Sequence, residues 1–185
     1  MARIAGAVLA AGSGSRLGRP KAGLVVGGTR LVDRSVAVLR DGGCDPLIAV
    51  VRAGTEVAGA TAVVNDNPER GMRSSLELAV AAAGPDVDAL AVVLVDMPGV
   101  GADAVRAAVT AWVPGRIAIA RYGQRRGHPT VMSPQLWRAA LATAGPDEGA
   151  RALLAARADL VDEVPVSGDP ADLDTADDLR EWRGR

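Results

Sequence analysis

Short apolar runs alternate along the chain with longer segments whose apolar residues recur at helical spacing. Residues 4–10, from Ile4 to Ala10, are apolar without interruption, as expected of a strand covered on both faces. After a glycine-rich stretch, Leu31, Ser35, Val36, Val38 and Leu39 predict a helix over 31–39 that Gly42-Gly43 stops. Strands follow at 46–51 and 62–64, then a helix over 73–83 with Leu76, Leu78, Ala79 and Val80 facing inward. Residues 89–95 are the most strand-like run, and they end abruptly at Asp96-Met97-Pro98. A helix over 102–112 is closed by Pro114-Gly115, and a strand at 117–121 leads into a polar turn at 123–127 and another strand at 130–132. Helices over 134–142 and 148–156, a strand at 160–166 and a helix over 175–183 complete the pattern.

This alternation predicts an α/β fold: a three-layer, Rossmann-like, mostly parallel sheet with helices on both faces. No repeat or linker interrupts it, so residues 1–185 are expected to form one domain. Ligands of such sheets bind beyond the carboxyl ends of the strands. The loop at Gly12 follows one strand and Asp96 ends another, so both are expected on that rim.

Composition narrows the class. Hydrophobic residues make up 49% of the chain and charged residues 23%, an ordinary globular balance. A net charge of −1 and an aromatic content of 2%, without any Phe, argue against nucleic acid as a partner. The single cysteine, Cys44, rules out an intramolecular disulfide, and no apolar stretch reaches the length of a membrane span. A cytoplasmic location, with no membrane partner, is the expectation. Of the 21 basic residues, one is lysine: Lys21, closing the stretch Leu9-Ala10-Ala11-Gly12-Ser13-Gly14-Ser15-Arg16-Leu17-Gly18-Arg19-Pro20-Lys21. A compact ammonium at the end of a glycine loop behind a strand points to nucleotide phosphate.

The loop fits neither common phosphate motif. G-x-x-x-x-G-K-[ST] cannot be laid on it, and Gly18 falls one residue late for G-x-G-x-x-G. What remains is small residues that let backbone N–H groups approach an anion, with Arg16 as a bidentate grip and Lys21 as a point charge. Asp96, at a strand's carboxyl end, is placed to hold Mg²⁺, although a turn aspartate before Pro98 would look the same. Asp174 and Thr175 could equally cap the last helix. Residues 67–75 join a loop glycine, Gly71, to a helix start, where backbone and hydroxyl groups could read a base edge; capping alone would account for Ser74. His128 is the sole histidine, in Gly127-His128-Pro129 beside Arg125-Arg126, and suggests contact with an anionic molecule rather than a catalytic triad.

Together these segments resemble the MobA-like nucleotidyltransferase family, with the closest likeness to its molybdenum cofactor cytidylyltransferase branch. Six ordered motifs carry the resemblance: Leu9–Lys21, Gly71-Met72-Arg73-Ser74-Ser75-Leu76, Asp96-Met97-Pro98, Gly127-His128-Pro129, Asp147-Glu148-Gly149-Ala150-Arg151 and residues 172–179. The resemblance implies that Leu9, Ala10, Ala11, Gly12 and Gly14, with Gly71, Met72, Ser74 and Ser75, hold the nucleotide. It implies that Arg16 and Lys21 hold the triphosphate, that Asp96 and Asp174 bind Mg²⁺, and that Lys21, Arg16 and Asp96 carry catalysis. Arg126, Gly127, His128, Pro129 and Arg151 fall on the acceptor side. The Leu-Ala-Ala-Gly form favours CTP over GTP, with molybdopterin as the expected acceptor and a molybdoenzyme as a possible recipient. Pro146, where the family usually has glycine, and Ala176, where proline is usual, depart from the pattern on the acceptor side. Alternatives are a guanylyl or other nucleotidyl transfer to another phosphorylated acceptor, and a non-catalytic protein that hands the cofactor to a molybdoenzyme.

Overall fold

The computed structural model describes residues 2–146 and 148–183, apart from the side chains of Arg16 and Arg183. Nine strands and six α-helices succeed one another in it. Strand β1 (Ile4–Leu9) leads through the glycine loop and a small hairpin, β2 (Val25–Val26) and β3 (Thr29–Arg30), to helix α1 (Leu31–Asp41). Then come β4 (Leu47–Val51), β5 (Thr61–Val64), α2 (Met72–Ala83), β6 (Ala89–Leu94) and α3 (Ala102–Ala111). The second half holds β7 (Ile117–Tyr122), β8 (Arg125–Met132), α4 (Pro134–Thr143), α5 (Arg151–Ala156), β9 (Val161–Pro165) and α6 (Ala176–Arg183).

Seven strands form one sheet in the order β5-β4-β1-β6-β8-β7-β9. All neighbouring pairs are parallel except those of β8, which runs antiparallel to both β6 and β7. The chain therefore moves outward from β1 to β5, then returns to place β6 on the other side of β1. That reversal opens a crevice between the carboxyl ends of β1 and β6, the usual ligand position in such sheets. Leu9 and Leu94 sit opposite each other in register, so Gly12 and Asp96 leave the sheet side by side.

The core is split by the sheet because strand side chains alternate. Ile4, Val8 and Ala10 pack with Val32, Val36 and Leu39 of α1 and Val105 of α3, a layer that Leu179 of α6 joins. Ala5, Ala7 and Leu9 face the opposite layer with Leu76 and Val80 of α2 and Trp137 of α4. Gly6 has a packing reason: a Cβ there would lie 2.8 Å from the Cβ of Cys44. Burial pushes the Cys44 thiol up to about 12, so it stays a neutral core group.

Two expectations need correction. The polar turn placed at 123–127 is only Gly123-Gln124; Arg125, Arg126, Gly127 and His128 already belong to β8. Arg125 and Arg126 are exposed at the start of the strand, so periodicity could not tell this end of β8 from a turn. The helix placed at 148–156 begins at Arg151, because the Glu148 carboxylate accepts the Gly145 N–H at 2.9 Å and holds a turn there. The hairpin at β2 and β3 was not foreseen, its strands being two residues long.

Trp137 is 1% exposed, and its Nε1–H donates to the Leu90 carbonyl at 2.9 Å across the layer boundary. Trp137→Ala is therefore expected to lower unfolding stability by about 3–5 kcal/mol, read by denaturant titration followed by circular dichroism.

Candidate functional site

The loop after β1 owes its path to one glycine. Gly14 has φ 61°, and a Cβ there would fall 2.0 Å from the Arg19 carbonyl oxygen, so the loop folds back on itself only with glycine. The turn delivers Lys21 to the start of a short 3-10 segment, where buried Ala22 fixes the following residue in the core. From β6, the Val95 N–H donates to the Leu9 carbonyl and carries the neighbouring strand end into the same turn region.

A third segment closes the site from far along the chain. The Leu173 N–H donates to the Asp96 carbonyl at 2.8 Å, and Asp169 N–H to the Gly99 carbonyl at 3.3 Å. Gly99 permits this approach, since a Cβ would lie 2.3 Å from the Asp169 carbonyl oxygen. Helix α6 is capped reciprocally: the Thr175 hydroxyl accepts the Asp178 N–H at 3.2 Å, and the Asp178 carboxylate accepts the Thr175 and Asp174 N–H groups. Capping thus falls to Thr175 and Asp178, and the Asp174 carboxylate turns toward Lys21.

The Lys21 ammonium donates to Asp96 Oδ2 at 2.7 Å and to Asp174 Oδ1 at 2.5 Å. Its side chain is only 13% exposed. Burial alone would lower the ammonium's pKa; hydrogen bonds to Asp174 and Asp96, and their charges, outweigh it and hold the pKa above its ordinary value. The two carboxylate oxygens lie within about 5 Å of each other, since both reach one nitrogen. Asp172 stands nearby, and its carboxyl is raised by burial and by the charges of Asp96 and Asp174.

Oxygen donors converging on a single cation suit a hard divalent ion such as Mg²⁺. Among the described residues no group of three or more His, Cys, Asp or Glu is disposed to hold a metal alone. Two carboxylates would therefore leave most of the coordination shell to phosphate and water, the usual arrangement for Mg²⁺.

These residues line a cavity of about 330 Å³, with Leu9, Ala11, Gly12, Gly14, Met72 and Ser75 on its walls. Ala10, Gly71 and Ser74, grouped with them by sequence, do not line it. Ala10 is buried in the layer beneath, while the Ser74 hydroxyl donates to the Gly71 carbonyl at 2.9 Å. Asn65, which the sequence reading passed over, donates from Nδ2 to the hydroxyls of Ser74 and Ser75 at 2.9 and 3.0 Å. It thereby holds Ser75 at the cavity edge. The Arg16 side chain and Asp147 lie outside the described residues.

A second cavity of about 460 Å³ shares Leu9, Met72 and Leu94 with the first. Arg126, Gly127, His128 and Arg151 line it, as the sequence grouped them, together with Arg125, Asp172 and Trp137; Pro129 does not. Arg126 is paired with Glu163 at 2.7 Å.

Comparison with known proteins agrees with this architecture. A model described as the MobA-like NTP transferase domain matches residues 6–162. Nicotine blue oxidoreductase of Paenarthrobacter nicotinovorans is 36% identical over a 193-residue alignment covering 95% of this chain and 94% of that protein. A probable molybdenum cofactor guanylyltransferase of Opitutus terrae is 37% identical over 105 residues, covering 54% of this chain and 50% of its own length. The crystal structure of Rv0371c from Mycobacterium tuberculosis superposes with a TM-score of 0.86 at 32% identity, covering 100% and 98% of the two chains. Its complex with manganese superposes at 0.80 with 30% identity, covering 98% of each.

Because the folded state raises the Asp172 pKa, its ionised form destabilises the protein above that pKa, and the penalty disappears as pH falls toward the ordinary carboxylate value. Asp172→Asn is expected to raise the melting temperature at pH 7, with the gain shrinking through the acid range and absent near pH 3. Calorimetric melts across that range check the direction.

Proposed function

The chain belongs to the MobA-like NTP transferase family, and on that premise we propose that it transfers CMP from CTP to a phosphorylated acceptor, molybdopterin, releasing pyrophosphate. The observation that carries this reading is the meeting of Lys21, Asp96 and Asp174 in a cavity at the β1/β6 crevice, directly beside a second cavity. Two adjoining cavities suit a donor nucleotide and an acceptor whose reacting groups meet at the seam. Support for a molybdenum cofactor acceptor comes from the relative named as a molybdenum cofactor guanylyltransferase. Support for a divalent ion comes from the manganese complex of the Mycobacterium tuberculosis protein.

In this reading the backbone of Leu9, Ala11 and Gly12 cradles base and ribose, with Gly14, Met72 and Ser75 completing the nucleotide side. Arg16 and Lys21 hold the triphosphate, and Arg126, Gly127, His128 and Arg151 face the acceptor. The acceptor phosphate is already ionised, so no side chain need remove a proton when its oxygen attacks the α-phosphorus and pyrophosphate departs. Positioning and charge neutralisation then supply most of the rate. Asp96 and Asp174 would hold Mg²⁺, which lends positive charge to the phosphates when bound. Lys21 exchanges its two carboxylates for phosphate oxygens and counters the charge that grows on the leaving group.

The full-length likeness to a protein named as an oxidoreductase favours one second reading, reduction of an aromatic molecule in the larger cavity. That reaction needs an electron donor and releases no pyrophosphate.

Lys21→Ala is expected to lower turnover by about 100- to 1,000-fold while the melting profile stays cooperative. Lys21→Arg tests point charge against geometry: its planar fork should recover little of the activity. Asp96→Asn should remove the metal-dependent part of CTP binding in calorimetry. Pyrophosphate release, measured with each of the four NTPs against molybdopterin, tests the whole reading. Release with CTP supports it, release with GTP alone moves the donor, and no release with any NTP sinks it.

A further inference from the structure

His128 is the chain's only histidine, and on the acceptor side its imidazole has no proton to move in the phosphoryl transfer itself. It lies in β8, where the strand runs antiparallel beside β6. Its Nδ1 is 3.0 Å from the Val92 carbonyl oxygen. A carbonyl can only accept, so Nδ1 carries the proton and the ring is held in one tautomer. In the neutral ring this leaves a lone pair on Nε2. Burial lowers the His128 pKa, against the Val92 hydrogen bond and the Asp96 charge that raise it, so the ring is neutral at physiological pH.

Nε2 is open to the cavity. It has no hydrogen-bond partner among the described residues, and no sealed side-chain nitrogen or oxygen among them lacks one. His128 lines the larger cavity, whose walls also include Ile119, Thr130, Trp137, Arg125, Arg126 and the Asp172 carboxylate. The main-chain oxygen of His128 is taken separately, accepting the Tyr122 hydroxyl at 2.7 Å, which fixes the strand that bears the ring. The cavity wall thus combines apolar and aromatic side chains with charged ones, and the neutral imidazole offers an uncharged acceptor at Nε2 among them.

From this geometry we infer that His128 selects the acceptor molecule by taking a hydrogen bond at Nε2 from a ring N–H or amino group, so the larger cavity prefers a flat nitrogen heterocycle turned donor edge first. A molecule turning a carbonyl toward the same point would set lone pair against lone pair and lose a hydrogen bond in a desolvated place. This assignment rests on the transfer reading above, because it describes how that reaction's acceptor is oriented.

Having one histidine makes the test direct. In uniformly ¹⁵N-labelled full-length protein at pH 7.5, long-range ¹H–¹⁵N correlation spectra contain a single imidazole pattern. The expected pattern has a protonated Nδ1 and a lone-pair Nε2. Saturating pterin, used as the probe with its N–H and amino donors, should move the Nε2 resonance upfield and leave Nδ1 in place. A proton found on Nε2 without ligand overturns the inference. So does pterin that binds, by calorimetry, without moving Nε2, and in that case the transfer reading survives. Failure of pterin to bind at millimolar concentration overturns the pterin acceptor itself and the inference with it.

Discussion

One ammonium between two carboxylates holds the site together. Lys21 comes from the first loop, Asp96 from the end of β6 and Asp174 from the approach to the last helix, separated by 75 and 153 residues from the lysine. Without a cation at their focus, the two carboxylates would repel at short range in a partly desolvated place. With it, three distant segments are drawn to one point. The sheet register supplies two of them, by setting Leu9 against Leu94. Backbone hydrogen bonds from Leu173 to Asp96 and from Asp169 to Gly99 supply the third. A lysine suits the place because a compact charge can meet oxygens from two directions, which a planar guanidinium does less readily.

The same strand ends divide the ligand space. Leu9, Met72 and Leu94 belong to the walls of both cavities, so groups held on either side are brought close across an apolar divide. The smaller cavity is rich in backbone and small residues, suited to a nucleotide lying against the chain. The larger one combines aromatic and aliphatic walls with arginines and a neutral imidazole. Residues 144–146 are fastened to the start of α2, where the Arg73 N–H donates to the Pro146 carbonyl and Arg73 Nη1 to that of Ala144.

Much of this was legible from the chain alone. The apolar runs at β1, β4 and β6 are long enough, and buried enough on both faces, that periodicity located them within a residue or two. Their parallel order put Gly12 and Asp96 on one rim. The resemblance to the family grouped His128 with Arg126 and Arg151, which line one cavity. What failed depends on tertiary context. Arg125 to His128 read as a turn because this end of β8 lacks the apolar run that marks the buried strands: Arg125 and Arg126 are exposed and only residues from Pro129 onward are buried. Asp174 and Thr175 were equivalent as caps until the Asp178 carboxylate was seen to bind their N–H groups. Asn65 gave no signal of its own, since its partners Ser74 and Ser75 are brought to it only by the fold.

The central claim is that the Lys21–Asp96–Asp174 cluster is a triphosphate and metal site. Its most direct test is a crystal structure with CTP and Mn²⁺, using manganese anomalous scattering to locate the ion. The account predicts an anomalous peak between the Asp96 and Asp174 carboxylates, with the triphosphate in the smaller cavity and Lys21 Nζ moved onto its oxygens. A triphosphate bound elsewhere, with Lys21 still bridging both aspartates and no peak between them, would contradict it.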